Sequence, residues 1–430
     1  MIGIGGIGMS ALAQLFVHQG KVVSGSDRSI SEKVEAVLKS CGIDVLKEHS
    51  ANAIATNVDL VVYSDAVVVG SEGYVEREAA VARGIPTQSY FEALGKVAKD
   101  YRVVAVSGTH GKTTTTGMLG KILVDAGAAP TVVVGSIVAD FGTNFVPGTS
   151  DIFVVEADEY REHFLNFTPE VLIINNIEHD HTDFYPTLSA MQSAFHALTL
   201  QVPEYGVIVT DPKHPNIAPV IAGVRARIVD YTKTSVPDLL LIGEFNRNNA
   251  RAAKEAVRAI APTVQSTVVD GALQSFKGSW RRFEFKGTMH TGALVYDDYA
   301  HHPTAVAETL RGIRERFPQK RVVVAFHPHL YSRTRDLLNE FARAFVDADF
   351  VLLAPIFAAR EVDDGSVSSE LLAVRISETG TPASAYGSLE AVAHALSAYG
   401  DADTIIVTMG AGNIYTVAEA LVNGHSEVAA

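Results

Sequence analysis

Ser107-Gly108-Thr109-His110-Gly111-Lys112-Thr113-Thr114 sets two glycines, a lysine and several hydroxyls at the spacing of a phosphate-binding loop. The glycines let backbone N–H groups turn toward an anion, Lys112 offers a charge to the β- and γ-phosphates, and the Thr113 hydroxyl can ligate the accompanying metal. Gly108, Thr109, His110, Gly111, Lys112, Thr113 and Thr114 are therefore candidate ATP contacts. The full pattern asks for another glycine where Val106 stands, so this is a shortened variant. Glu156 and Asp158 follow one apolar run, and Asn176-Ile177-Glu178-His179-Asp180-His181 follows the next. Thr113 and Glu156 suit magnesium, a hard ion, while the softer His181 also admits manganese.

A second glycine-rich turn, Gly3-Ile4-Gly5-Gly6-Ile7-Gly8, has the G-x-G-x-x-G spacing that brings a diphosphate close to a helix N-terminus. Asp27, nineteen residues after Gly8, stands where an acid binds a ribose, and it could equally read a uridine. Gly5, Gly6, Ile7, Gly8, Ser26, Asp27 and Ser64 are the candidate contacts. A nicotinamide dinucleotide is one possible occupant; the rest of the segment argues for a different diphosphate. Only Met1 and Ile2 precede Gly3, so the first strand is stunted or its start is clipped.

These groups need elements to position them. The chain's 430 residues suffice for roughly two to four domains with ordinary cores. Residues of the set AVILMFWYC make up 47% and charged residues 20%, which excludes disordered, collagen-like and coiled-coil chains. A formal charge of −14 has the wrong sign for bulk attraction to nucleic acid or an anionic membrane, so phosphates must be held locally. The one cysteine, Cys41, excludes an intrachain disulfide and reads as a buried thiol in a reducing, cytoplasmic compartment. The amino terminus lacks the basic region of a signal peptide, no window approaches the length of a membrane span, and residues 423–430 read as a frayed end.

Short apolar runs alternate with helix-like stretches, which is the grammar of an α/β fold. Residues 21–25 and 59–63 read as strands of a first unit, and residues 93–100 as a polar bridge to the next. A buried strand at 101–106 then runs into the phosphate loop, with a helix over 115–126. Strands at 151–155 and 171–174 end in the acidic and histidine-rich residues, where open α/β sheets bind ligands. A third unit opens near Ser275, with strands at 293–297, 321–326, 350–354 and 404–409. Three domains result, at 1–98, 99–274 and 275–430. Two strand ends of the last are rich in histidine, Met409-Gly410-Ala411-Gly412-Asn413 is a ligand-facing loop or a tight turn, and Trp280 is a packing residue.

Together with Gly278-Ser279-Trp280-Arg281-Arg282-Phe283, Asp297-Asp298-Tyr299-Ala300-His301-His302-Pro303-Thr304 and Phe326-His327-Pro328-His329-Leu330-Tyr331-Ser332-Arg333-Thr334, these motifs resemble the Mur ligase superfamily over the whole chain. Within it they are most similar to the members that join L-alanine to UDP-N-acetylmuramate. The resemblance implies a Rossmann-like UDP-binding domain, a central P-loop-type ATPase domain with a mostly parallel sheet, and a C-terminal Rossmann-like domain that brings the amino acid. It implies that Lys112 holds the β/γ-phosphates, that Thr113, Glu156 and His181 hold magnesium, and that Asn246 and Asn249 lie on the adenine side. Asp298, Tyr299 and His301 would serve the junction of ATP and amino acid. His329 and Arg333 would orient alanine, and Arg282 would reach the transferred phosphate. The chain departs from the family pattern in places: Phe245 replaces a histidine, Leu330 stands where many members carry a second arginine, residues 156–163 differ from the common E-A-D-E-S-D version, and residues 211–242 are short.

The implied reaction uses ATP to convert the muramate carboxylate to an acyl phosphate, which the alanine amine then attacks. The implied partners are UDP-N-acetylmuramate, L-alanine and ATP, with no nucleic acid or membrane, in a monomer or homodimer. Lys112, the cation and Arg282 would offset charge on the phosphoryl oxygens. His301 and His329 both suit removal of the ammonium proton by their pKa class. A hinge near residues 274–278 would serve domain closure. The rival readings are a sister ligase that recycles murein tripeptide, a nicotinamide-dependent oxidoreductase and a non-enzymatic UDP-muramate sensor.

Overall fold

The computed structural model describes residues 1–359 and 361–424, and the segment 425–430 of the expected frayed end lies outside them. The chain forms two compact units: Met1–Asp238 with Asn248–Lys277, and Leu239–Arg247 with Gly278–Ala430. The change of unit at Lys277/Gly278 falls within the stretch expected to hold a hinge. Among the described residues no helix is long and apolar enough to cross a membrane.

In the first unit, Ile2 before the amino-terminal glycine turn bridges Ser26 on one side and Tyr63 on the other. It joins two short parallel pairs, Gly25–Ser26 with Val45–Leu46 and Val61–Tyr63 with Thr87–Ser89. The strand expected at 21–25 forms at Gly25–Ser26 instead, because Val22 is fully exposed and has no surface to pack on. Cys41 is half-exposed at the end of helix Glu32–Ser40, rather than buried. Residues 93–100 are not a polar bridge. Helix Tyr90–Ala98, opened by a Ser89/Glu92 capping box, buries Phe91, Ala93, Leu94 and Ala98.

A seven-stranded sheet follows, in the order Arg227–Asp230, Val207–Thr210, Val171–Ile174, Arg102–Ser107, Ile152–Glu156, Thr131–Val138, Thr143–Val146. Its pairs are parallel except the last, an antiparallel hairpin. Strand Arg102–Ser107 buries Val103 to Ser107. The chain first fills one side of this strand and then the other, which makes its carboxyl end a switch point. Register sets Val106 beside Glu156 and Ser107 beside Ile174, so three strand ends finish at one level.

The edge hairpin also grips the amino-terminal helix, Ile7–His18. The buried Asn144 amide donates to the Ile7 carbonyl at 2.6 Å and the Ser10 hydroxyl at 3.2 Å, and accepts from Gln14 at 2.9 Å. Thr143 donates to the Gln14 amide oxygen at 2.9 Å. Paired amides are what allow such a polar network to be buried.

The second unit holds a six-stranded sheet in the order Glu284–Thr288, Leu294–Asp298, Thr404–Met409, Arg321–Phe326, Phe350–Leu353, Ala383–Ala385. Only the Glu284–Thr288 edge runs antiparallel. The last strand in sequence inserts between the second and third, creating another switch point. Asp298 and Phe326 both lie beside Met409 there.

Gly95 lets helix Tyr90–Ala98 approach the backbone at Asn166, since a Cβ would lie 2.5 Å from the Asn166 carbonyl oxygen. Gly95→Ala is expected to lower unfolding stability by about 1–3 kcal/mol, read as a drop in urea midpoint at unchanged slope. An unchanged midpoint would show that this contact is loose.

Candidate functional site

The sequence Gly108 to Thr114 lies at the carboxyl end of the central strand of the first unit. Gly108 and Gly111 have φ of 125° and 86°, a left-handed backbone that favours glycine. Neither has room for a side chain: a Cβ at Gly108 would lie 2.9 Å from the Asn176 carbonyl oxygen, and one at Gly111 2.3 Å from the Asn249 amide oxygen. The helix expected at 115–126 starts at Lys112 and runs to Asp125, so its first free N–H groups belong to the loop itself. The Asn176 side chain accepts from the His110 N–H at 2.8 Å, and the Asn175 amide donates to the Thr115 hydroxyl at 3.0 Å. The two asparagines thereby fix the loop's turn.

The Lys112 ammonium donates to the carbonyls of Gly108 at 2.7 Å and Thr109 at 3.3 Å, and to the Glu159 carboxylate at 2.7 Å. Burial pulls its pKa down, but Glu159, Asp158 and Glu156 override this and the net shift is upward. Burial likewise pushes Glu159 up, and Lys112 and His181 override it, so Glu159 stays ionised. Thr113 donates to Glu156 at 2.9 Å, and Gly135 N–H donates to the second oxygen of Glu156 at 2.7 Å. His181 lies 3.4 Å from Glu159. Burial lowers its pKa, while Glu159 and Asp180 raise it to a net upward shift.

Asp158, Glu159 and His181 bring ligand atoms within 4.8 Å of one another. Their oxygen-rich chemistry, like that of the Thr113–Glu156 pair, suits a hard divalent cation. Of the expected metal ligands, Thr113 and Glu156 touch directly, while His181 groups with Asp158 and Glu159, and Lys112 lies in the field of all three acids. Glu159 as the partner of Lys112 was missed from sequence; its signal was the third acid of Glu156-Ala157-Asp158-Glu159.

Asn249 packs on Gly111 and accepts from the Asn175 amide at 3.4 Å, which places it at the phosphate loop. Asn246 belongs to the second unit, where its amide donates to the Ile242 carbonyl at 2.8 Å. Phe245, at the departure from the family pattern, has its ring under Gly243, where a Cβ would lie 2.6 Å from it.

At the amino-terminal turn, Asp27 accepts from Gly5 N–H at 2.8 Å and from Ser29 N–H at 3.0 Å. Ser64 abuts Gly3, and the Tyr90 ring packs on Gly8, where a Cβ would lie 2.8 Å away. Gly6 caps the helix that begins at Ile7. The hydroxyl of Ser26 is turned inward and donates to the buried Glu76 at 2.7 Å.

The switch point of the second unit gathers the remaining candidates. Asp298 accepts from Phe283 N–H and Ala300 N–H, each at 2.7 Å. Burial raises its pKa to about 6 against the opposing Arg282 charge. These bonds hold a turn in which Arg281 and Phe283 both take positive φ. Arg281, not singled out from sequence, is buried, bonds Asp297 at 2.9 Å, and donates to the Gly410 and Gly412 carbonyls at 2.5 and 2.8 Å. Met409 to Asn413 is thus a turn clamped from within. The Arg282 guanidinium lies over the Tyr299 ring at 5.0 Å, and Trp280 packs edge-on against Tyr415.

His301 Nδ1 is 2.8 Å from the Tyr299 carbonyl oxygen, and Arg333 approaches His329 Nδ1 at 3.0 Å. The two imidazoles meet edge-on with centroids 5.9 Å apart, and His329 stacks on Phe357. Leu330, buried with φ of 71°, donates its N–H to the Phe357 carbonyl at 2.9 Å. It supplies packing where a second arginine would supply charge, which leaves Arg333 as the cation beside His329.

Burial, aided by Glu159, raises the Asp158 pKa from 3.8 to about 6. Between those values the folded chain binds more protons than the unfolded one, so this group makes stability fall as pH rises through the window. Without added metal, Asp158→Asn should match the parent near pH 4 and exceed it by about 1–2 kcal/mol above pH 6, a figure reduced for the side chain's partial exposure. Denaturant titrations across pH test this, and a difference that does not vary with pH contradicts it.

Three family models cover most of the chain: "Mur ligase family, catalytic domain" over residues 1–102, "Mur ligase middle domain" over 106–240, and "Mur ligase, glutamate ligase domain" over 281–412. Among curated relatives, a UDP-N-acetylmuramate–L-alanine ligase of Desulfitobacterium hafniense is 39% identical over 98% of both chains. One of Salinibacter ruber is 36% identical over 98% of this chain and 94% of its own. A solved UDP-N-acetylmuramate–alanine ligase from Thermotoga maritima matches with a TM-score of 0.79 and 27% identity, covering 98% of this chain and 97% of its own. A murein peptide ligase from Psychrobacter arcticus shares the fold, with a TM-score of 0.72 and 24% identity, covering 100% of this chain and 98% of its own. The three-domain α/β architecture and its two strand-end sites have their explanation in this kinship: the chain belongs to the Mur ligase family.

Proposed function

We propose that this chain joins L-alanine to the lactyl carboxylate of UDP-N-acetylmuramate, consuming ATP and releasing ADP and phosphate, in the cytoplasmic synthesis of peptidoglycan precursor. The observation that carries this reading is the phosphate loop of the first unit, with Lys112 tied to Glu159 and Thr113 tied to Glu156. The relatives matched over their whole length are named UDP-N-acetylmuramate–L-alanine ligases, and this supports the choice of substrates.

A carboxylate does not form an amide unaided because oxide is a poor leaving group. In the proposed route a carboxylate oxygen bonds to the γ-phosphorus as the bond to the β-phosphate oxygen breaks, giving an acyl phosphate and ADP. The alanine nitrogen then bonds to the acyl carbon, and the tetrahedral intermediate expels phosphate. The nucleophile comes from substrate, so the chain's task is positioning and charge neutralisation. Gly108 to Thr114 cradle the phosphates, and the Lys112 ammonium turns from loop carbonyls toward them. Thr113, Glu156 and His181, backed by Asp158 and Glu159, hold magnesium, for which manganese can substitute. Bound there, the cation neutralises charge on the phosphate oxygens.

The glycine turn Gly5 to Gly8, with Ser26, Asp27 and Ser64, is assigned to the UDP-sugar. In the second unit, Tyr299, His301, His329 and Arg333 are assigned to the amino acid, Asp298, Asn246 and Asn249 to ATP, and Arg282 to the charge of the transferred group. The domains are taken as 1–98, 99–274 and 275–430, in a monomer or homodimer.

Phosphate release is the test, with ATP, UDP-N-acetylmuramate and, in separate reactions, L-alanine, glycine, L-serine or the murein tripeptide. Release with L-alanine is expected. Release with tripeptide alone would move the chain to the recycling branch, and binding of NAD without UDP-sugar would overturn the assignment. Lys112→Ala should keep UDP-sugar binding and lose phosphate release by about 100-fold or more. Retained turnover would remove Lys112 from the mechanism.

A further inference from the structure

A substrate held by a diphosphate at one end and reacting through a carboxylate at the other needs two anchor points a fixed distance apart. On the ligase reading these are the start of helix Ile7–His18 and the Thr113–Glu156 pair, and one hairpin touches both. Its strands, Thr131–Val138 and Thr143–Val146, lose register between Val133 and Val138, where the first strand bulges. Within that bulge the Gly135 N–H donates to Glu156 at 2.7 Å, and a Cβ on Gly135 would lie 2.6 Å from the same carboxylate. Opposite the bulge stands Asn144.

Asn144 is 2% exposed and spends every polar group on the helix. Its amide N–H groups reach the Ile7 carbonyl and the Ser10 hydroxyl, and its oxygen accepts from Gln14. Ser10 donates to the same Ile7 carbonyl at 2.8 Å, and Thr143 fixes the far end of Gln14. The grip therefore closes on the first helical turn, at the residue between Gly6 and Gly8. An aspartate could not donate here, and a leucine could neither donate nor accept. Holding the helix on the hairpin does not by itself require these bonds, because Leu12, Leu15, Val133 and Phe145 already share one core. Apolar contact is non-directional and leaves sliding free, whereas bonds to one carbonyl fix a position.

We propose that Asn144, oriented by Gln14 and Thr143, is a positioning residue that sets the glycine turn against Glu156 and so fixes the reach of the sugar carboxylate to the γ-phosphate. The inference rests on the ligase reading above. Asn144 acts through the helix start on one side of the hairpin and the acid beside Thr113 on the other. Its influence falls on the step in which the carboxylate attacks phosphorus, and each substrate still binds without it.

The test uses the full chain and isolates that step. With UDP-N-acetylmuramate present and amino acid withheld, the acyl phosphate can return its phosphoryl group to labelled ADP, regenerating the carboxylate and giving labelled ATP. Asn144→Ala should lower this exchange and kcat together by about 10–100-fold, with the Kd for UDP-N-acetylmuramate and the KM for ATP within about threefold of the parent. Thr143→Val, at the half-buried edge of the network, should lower both rates by a smaller factor and serves if Asn144→Ala does not fold. Thr143→Ser, which keeps the hydroxyl, should restore them. A tie that serves stability alone would lower the urea midpoint and leave exchange per folded molecule unchanged. That result in every variant that folds would overturn the proposal, as would a weakened Kd for UDP-N-acetylmuramate that accounts for the whole loss. Absence of exchange in the parent would overturn the ligase reading and this inference together, whereas unchanged variants beside an active parent overturn the inference alone.

Discussion

A lysine ammonium held against backbone carbonyls under a phosphate loop requires a counter-charge, and Glu159 supplies it. Its carboxylate, 1% exposed, meets Lys112 at 2.7 Å, and most of the first unit's site follows from that ion pair. Two buried charges are tolerated only when each is paired and hydrogen-bonded. Here Lys112 also donates to two loop carbonyls, and Glu159 is approached by His181 as well. The pair holds the ammonium at the mouth of the loop and keeps Glu159 ionised among the acids that suit a cation. A triphosphate could replace the loop carbonyls as the lysine's acceptors without leaving an uncompensated charge.

The second unit solves a related problem with fewer charges. Asp297 and Asp298 are both buried at the end of one strand, and each is satisfied differently: one by the Arg281 guanidinium, the other by two backbone N–H groups. These bonds secure the turns that carry Arg282, Tyr299 and His301. Arg281 then ties the same turn to the glycines after Met409. Nearby, His301 faces the Tyr299 carbonyl and His329 faces the Arg333 guanidinium.

Much of the architecture was legible in the sequence because apolar runs that must be buried on both faces leave few alternatives to a parallel sheet. The strand ending at Ser107, its neighbours and the phosphate loop were readable for that reason. The reading failed where exposure rather than residue type decides. Val22 looks like a strand residue but faces solvent, and residues 93–100 look polar although their helix turns an apolar face inward. At the sites, residue types singled out Lys112, Thr113, Glu156, His181, His301 and His329 as candidates. They could not show that Ser26 bonds Glu76 or that Arg281 rather than Arg282 is the buried clamp. Those facts depend on which acceptor lies opposite each donor, which only the register of distant strands fixes.

The central claim is that the sugar carboxylate is activated as an acyl phosphate before the amine attacks. Labelling both oxygens of that carboxylate with oxygen-18 tests it directly. The account predicts that one labelled oxygen appears in the released phosphate for each amide formed, and the other stays in the amide carbonyl. Phosphate free of label, with amide still formed, would contradict it.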